Sequence, residues 1–126
     1  MKSLRVMIVD DSALTAKKIG AMLEDAGHIV AGVCESGNEA VEVYQDVKPD
    51  MVTMDITMLG MNGIEATKAI LQQNNNALII MVTAHGQEQM VIEAIEAGAK
   101  GYLLKPIKQD SLIQMISKVY EKYADD

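Results

Sequence analysis

The chain has 126 residues, 49% of them hydrophobic, and carries a formal net charge of −7. That length fits one compact domain with a real core, and the composition excludes intrinsic disorder. The acidic balance argues against nucleic-acid binding, which needs a basic surface. The single Cys34 excludes an internal disulfide, and no Cys/His cluster indicates a zinc site.

The apolar segments of the chain are short, and no basic-then-apolar leader stands at its start. None approaches the roughly 20 residues that a helix needs to cross a bilayer, and the start is not typical of a secretory signal. We therefore expect a cytoplasmic monomer without membrane insertion. No linker or low-complexity tract is present, so we expect a single domain over residues 1–126 with no attached output domain.

Short apolar runs alternate with amphipathic segments five times along the chain. The first strand is predicted at Leu4–Val9, which is nearly all apolar, as is typical of a strand buried on both faces. A helix ending at Gly27 follows it, and a weaker strand at Ile29–Cys34 is expected at the sheet edge. The apolar face of that helix consists of Ala16, Ile19 and Leu23.

Two pairs of residues have the spacing of helix capping boxes, Ser36 with Glu39 and Asn62 with Glu65. They predict the starts of the second and third helices. The third strand is predicted between these helices at Met51–Met54. The apolar stripe of the second helix, which ends at Pro49, consists of Ala40, Val43, Tyr44 and Val47.

The last two strands are predicted at Ala77–Val82, after a loop of three asparagines, and at Gly101–Leu104. The fourth helix stops near Gly98, and the residues expected to face inward from it are Met90, Val91, Ala94 and Ile95. The buried stripe of the fifth helix consists of Leu112, Met115, Ile116, Val119 and Tyr120. Repeated strand-then-helix units predict an α/β fold with a parallel sheet covered by helices on both faces.

Polar side chains follow four of the predicted strands. Asp10 and Asp11 follow the first, Asp55 the third, Thr83 the fourth and Lys105 the fifth. Ligands of open parallel sheets sit beyond the carboxyl ends of the strands. Alone, an acidic pair is more often a helix cap, and a threonine or lysine an ordinary turn or surface residue. Their joint placement at four strand ends favours a shared site.

The chemistry of this set is coherent. Three carboxylates in one pocket repel each other unless one is protonated or a cation binds, and Mg²⁺ prefers oxygen ligands. One carboxylate can attack phosphorus to form an aspartyl phosphate. The metal and a lysine ammonium can stabilise the charge that develops on the phosphoryl oxygens, and the Thr83 hydroxyl can donate to one of them.

The chain resembles the receiver domains of bacterial two-component response regulators. The segments that carry the resemblance are Val6–Asp11, Met54–Met58, Met61–Gly63, Val82–Ala84 and Leu104–Pro106. The resemblance implies a flavodoxin-like, doubly wound sheet of five parallel strands in the order 2-1-3-4-5, flanked by five helices. The implied function is a signalling receiver and not an enzyme, beyond self-catalysed phosphoryl transfer and autodephosphorylation.

The resemblance also assigns roles to the residues of the site. Asp55 would accept a phosphoryl group from a histidine kinase. Asp11, Asp55 and the backbone carbonyl of Thr57 would ligate Mg²⁺ directly, whereas Asp10 would act mainly through metal-bound water. Thr57 and His85 occupy positions that tune how fast the phosphoryl group is hydrolysed.

The resemblance assigns a second group of residues to signal output. Thr83 would be the switch hydroxyl, Tyr102 the aromatic residue that moves inward on activation, and Lys105 the partner of the phosphoryl group, followed by a cis peptide before Pro106. The lone-domain length resembles chemotaxis receivers, which implies the flagellar motor switch as partner. The expected output surface includes Glu88, Glu93, Tyr102 and Lys108.

One departure from the family pattern and three alternatives stay open. The family usually has proline where this chain has Leu59, and proline would stiffen the loop after Asp55. The chain could instead be a phosphorelay intermediate or a receiver excised from a larger regulator. A haloacid-dehalogenase-type phosphatase also forms a phosphoaspartate, but it needs a second acid where this chain has Thr57.

Overall fold

The computed structural model of the chain describes residues 2–58, 60–84 and 88–124. Strands and helices alternate through these residues, and none of the helices is long and apolar enough to cross a membrane. The elements are β1 (Arg5–Val9), α1 (Ala13–Asp25), β2 (Ile29–Cys34), α2 (Gly37–Val47), β3 (Met51–Asp55), α3 (Gly63–Gln73), β4 (Ile79–Thr83), α4 (Glu88–Ala97), β5 (Gly101–Leu104) and α5 (Gln109–Tyr123).

The five strands form one parallel sheet in the order β2-β1-β3-β4-β5. This confirms the predicted fold and strand order. Strands β3 and β4 are buried along their whole length, whereas β2 lies at the edge and is mostly exposed or half-buried. The order reverses at β1, so the carboxyl ends of β1 and β3 flank the point where ligands bind in such sheets.

Two apolar cores lie on opposite faces of the sheet. Alternate side chains of β1 enter different cores, because successive residues of a strand point to opposite faces: Met7 joins one core and Ile8 the other. Helices α2, α3 and α4 cover the first core, and α1 and α5 cover the second. The helices therefore support both faces of the sheet and leave the carboxyl ends of its strands accessible.

The capping residues expected from the sequence are present, with one difference. Asn62 Oδ1 accepts the Glu65 N–H at 2.9 Å and the Glu65 carboxylate accepts the Asn62 N–H at 3.1 Å, which completes a capping box. Ser36 Oγ likewise accepts the Glu39 N–H at 3.1 Å, but the Glu39 carboxylate accepts from the Glu35 N–H. The first turn of α2 is thus capped without a reciprocal pair.

The structure contradicts the prediction that Ile95 faces inward, because its side chain is 43% exposed. Helix α4 packs on the sheet through Val91 and Ala94, and both are buried. Ile95 lies beside this stripe and lines a groove against β5, the short strand at the sheet edge. Apolar periodicity identified the helix face, but the width of the sheet beneath it decides how much of that face is covered.

Candidate functional site

The register of the sheet brings the predicted polar residues into one row. The residue before Asp10 pairs with Met54, which places Asp10 beside Asp55. The next neighbour in the sheet is β4, which ends at Thr83, and the Lys105 N–H donates to the Thr83 carbonyl at 2.8 Å. The carboxyl ends of four strands thus contribute to one cluster.

Three carboxylates and one ammonium group form the centre of this cluster. One oxygen each from Asp10, Asp11 and Asp55 lies within 4.8 Å of the others. Lys105 Nζ lies 3.1 Å from Asp10 Oδ2 and 3.3 Å from Asp55 Oδ1. Asp10 and Asp55 are buried and Asp11 is exposed, so the cluster has a closed side and a side open to solvent.

The electrostatics of the cluster are dominated by Asp55 and Lys105. Burial raises the pKa of the Asp55 carboxyl to about 6, the Asp10 charge adds to the rise, and the Lys105 charge opposes it. Burial alone would lower the pKa of Lys105, but the charges of Asp55 and Asp10 outweigh it and leave that pKa raised. Lys105 therefore stays charged at neutral pH, whereas Asp55 titrates close to the physiological range.

The cluster fits a small divalent cation. Asp10 Oδ2 is buried, and the Lys105 ammonium 3.1 Å away balances its charge. Its other oxygen accepts the Ser12 N–H at 2.9 Å. Clustered carboxylate oxygens with an open, solvated side suit Mg²⁺, which prefers oxygen ligands and retains several waters.

Gly63 packs against the backbone of Asp55, a role that the sequence analysis did not predict. Its N–H donates to the Ile56 carbonyl at 2.8 Å. A Cβ atom at this position would overlap the Asp55 carbonyl oxygen. Only glycine lets α3 approach the end of β3 this closely. The one indication of this in the sequence is that Gly63 lies in the family-like segment Met61-Asn62-Gly63.

Gly63→Ala should lower the free energy of unfolding by about 2 to 3 kcal/mol, because backbone atoms of a packed strand must move. Urea unfolding followed by circular dichroism measures this loss. Gly20→Ala is the matched control, since its Cβ would meet the Val30 side chain at an ordinary 3.5 Å. Alanine favours a helix interior, so the control should change stability by less than about 1 kcal/mol. Equal effects of the two variants would contradict the close approach.

The other predicted site residues are arranged as follows. Thr83 is buried at the end of β4, and its hydroxyl donates to the Ala84 carbonyl at 3.4 Å. The Lys105–Pro106 peptide is cis. Thr57 is exposed in the loop after β3. Leu59 and His85, singled out from the sequence, lie outside the described residues.

Tyr102 is 46% exposed, and its side chain lines a groove of about 440 Å³ between α4 and β5. Of the predicted output residues, Glu88 also lines this groove. Lys108 lies in the adjoining pocket at the start of α5, and Glu93 is exposed on α4 away from the groove. The other lining residues, none of which was predicted as part of the output surface, are Val91, Ile92, Ile95, Glu96 and Leu104.

The fold and the site are those of a signalling receiver. The family model described as response regulator receiver domain matches residues 6–117. Chemotaxis protein CheY of Thermotoga maritima is 49% identical over 91% of this chain and 96% of its own length. Chemotaxis protein CheY of Bacillus subtilis is 46% identical over 90% of this chain and 95% of its own.

A solved structure supports the same assignment. The CheX–CheY–BeF₃–Mg²⁺ complex from Borrelia burgdorferi matches with a TM-score of 0.88 and 35% identity, over 92% of this chain and 88% of the other. The chain belongs to the response regulator receiver domain family. Members of this kind are signalling proteins, and this chain is a CheY-like receiver.

Proposed function

We propose that Asp55 accepts a phosphoryl group from a histidine kinase and that the modified protein presents a changed surface along α4, β5 and α5. The observation that carries this proposal is the ion-pair geometry, in which Lys105 Nζ lies 3.1 Å from Asp10 and 3.3 Å from Asp55. A buried carboxylate beside a fixed ammonium has both a nucleophilic oxygen and a counter-charge for the product.

In the transfer, an Asp55 carboxylate oxygen bonds to phosphorus while the bond from phosphorus to the donor's imidazole nitrogen breaks. That nitrogen keeps the electron pair and takes up a proton from solvent. Asp55 must be ionised to attack, and a pKa of about 6 leaves it mostly ionised at neutral pH. Lys105 then pairs with the phosphoryl oxygens, because its ammonium already lies 3.3 Å from the Asp55 carboxylate.

Asp11, Asp55 and the Thr57 carbonyl would hold Mg²⁺, with Asp10 acting mainly through metal-bound water. When bound, the metal neutralises charge on the phosphoryl oxygens during transfer. The carboxylate cluster supports this role because its oxygens already lie within 4.8 Å of one another. Such crowding of like charge is relieved by a cation.

The change of surface would run from Thr83 to Tyr102. Thr83 is buried, and its carbonyl accepts the Lys105 N–H at 2.8 Å. Its hydroxyl would donate to a phosphoryl oxygen, which opens space behind it for the half-exposed Tyr102 ring. The groove between α4 and β5 would then change shape, together with the positions of Glu88 and Lys108. Phosphorylation shifts this balance only by as much as it stabilises one state over the other.

The biological setting that fits best is chemotaxis, with the flagellar motor switch as the downstream partner. Both CheY relatives named above are chemotaxis proteins and match nearly the whole of this chain. The similar Borrelia burgdorferi CheY is complexed with beryllofluoride, Mg²⁺ and the protein CheX. We further propose that residues 1–126 act as a single receiver unit.

The direct test is to incubate the wild-type protein with a small phosphodonor such as acetyl phosphate, with and without Mg²⁺. Intact-mass spectrometry should show one phosphoryl adduct that depends on Mg²⁺. Borohydride reduces an acyl phosphate to the alcohol, so peptide mapping should find homoserine at position 55. An adduct located at any other residue would contradict the proposal that Asp55 is the phosphoryl acceptor. Rapid turnover of small phosphate esters would instead favour a phosphatase.

A further inference from the structure

Thr57 lies in the connection between β3 and α3, two residues after Asp55. The loop is closed at its base, where the Gly63 N–H donates to the Ile56 carbonyl at 2.8 Å. Thr57 follows Ile56 in this connection and is exposed. A contact on another residue of the connection, such as Met61, would also limit where the Thr57 carbonyl can lie.

Such a contact comes from the first turn of α2. Asn38 Oδ1 accepts the Met61 N–H at 3.3 Å, across 23 residues of sequence. Beside it, a Cβ atom on Gly37 would lie 2.7 Å from the Met61 carbonyl oxygen, so glycine is needed for this approach. Gly60 has a φ of +76°, and a Cβ atom there would come within 3.7 Å of Asn38 Oδ1. The start of α2 thus lies directly against the loop.

Asn38 is not needed to cap its own helix. Ser36 Oγ accepts the Glu39 N–H at 3.1 Å, which caps the first turn of α2. The Glu39 carboxylate in turn accepts the Glu35 N–H at 2.8 Å. These contacts leave the Asn38 side chain, which is exposed on the same turn, free of a capping role.

We propose that Asn38 is a positioning residue: its hydrogen bond to Met61 holds the loop after Asp55 so that the Thr57 carbonyl stays in place for the cation. This inference rests on the proposed phosphoryl acceptance at Asp55. A hydrogen bond from a neighbouring helix restrains the loop from outside.

The test compares Asn38→Leu, which is similar in size but has no acceptor, with Asn38→Asp, which keeps an oxygen at the same place. Amide exchange of Met61, measured by NMR, should be about two- to tenfold faster in Asn38→Leu, the range expected for one hydrogen bond. The Mg²⁺ concentration that gives half-maximal phosphorylation should rise by a similar factor. Asn38→Asp should stay near wild type in both measurements.

Asn75→Leu is the matched control, since Asn75 is an exposed loop residue remote in sequence from the site. Wild-type exchange at Met61 in Asn38→Leu overturns the inference, as does faster exchange with an unchanged Mg²⁺ requirement. An Asn38→Asp protein that behaves like Asn38→Leu overturns the role of the acceptor oxygen. If the wild type takes up no phosphoryl group, the proposed function fails, and Met61 exchange alone then decides whether Asn38 holds the loop.

Discussion

Asp55→Asn protein should gain no Mg²⁺-dependent phosphoryl adduct under conditions in which the wild type is modified. The amide has no nucleophilic carboxylate oxygen, and the other two acids of the cluster are proposed to serve the metal, Asp11 directly and Asp10 through metal-bound water. The expected effect is complete loss at this site, measured by intact-mass spectrometry. An adduct that persists unchanged would refute acceptance by Asp55.

Two controls separate loss of the acceptor from loss of structure. Asp46→Asn changes an exposed aspartate of α2 and should leave the adduct intact. Asp55→Asn should also be the more stable protein at neutral pH without Mg²⁺. The native pKa of about 6 lies above the ordinary 3.8, so ionisation of Asp55 lowers the free energy of unfolding of the wild type as pH rises from 3.8 to about 6. At neutral pH we therefore expect the free energy of unfolding of Asp55→Asn to exceed that of the wild type by about 2 kcal/mol. This gain should disappear as pH falls from about 6 to 3.8.

Lys105→Ala should lower the free energy of unfolding by about 2 kcal/mol at neutral pH in Mg²⁺-free buffer. The lysine is 26% exposed and is the counter-charge of two buried carboxylates. Without it, Asp10 and Asp55 repel each other and the pKa of Asp55 rises further. Protonation of Asp55 relieves this repulsion, so the loss should shrink as pH falls from the raised pKa of Asp55 in the variant towards the wild-type value of about 6. Urea unfolding at several pH values measures this dependence.

Lys108→Ala is the control for this prediction, because Lys108 is exposed and its side chain does not cap α5. It should change stability by less than about 0.5 kcal/mol at any pH. A Lys105→Ala protein with the same small, pH-independent change would mean that the observed ion pairs contribute little. In Mg²⁺, Lys105→Ala should still accept the phosphoryl group, since the nucleophile remains. Its amide exchange along α4 and β5 should then respond less than in wild type.

Local sequence patterns were sufficient for most of the fold. Apolar runs predicted each strand to within two residues, although β3 extends to Asp55 and β4 begins at Ile79 and extends to Thr83. The capping residues Ser36 and Asn62 correctly predicted two helix starts. These features are local, because strand periodicity and helix caps depend on residues only a few positions apart.

The candidate site was also visible in the sequence, but only as a set of strand ends. Parallel strands bring their carboxyl ends to one edge of the sheet, so Asp10, Asp55 and Lys105 could be grouped before any distance was known. The distances themselves, and the raised pKa of Asp55, depend on burial and on charges from separate strands. No local pattern contains that information.

Residue patterns alone were thus enough to infer the alternation of elements, the acidic cluster and, through family resemblance, the order of the strands. Three features are visible only in the folded chain: Ile95 is exposed in the α4–β5 groove, Gly63 lies against Asp55, and Asn38 binds Met61. The physical reason is that these features depend on how closely two elements approach. That approach is set by packing among residues far apart in the chain, whereas periodicity and capping describe one element at a time.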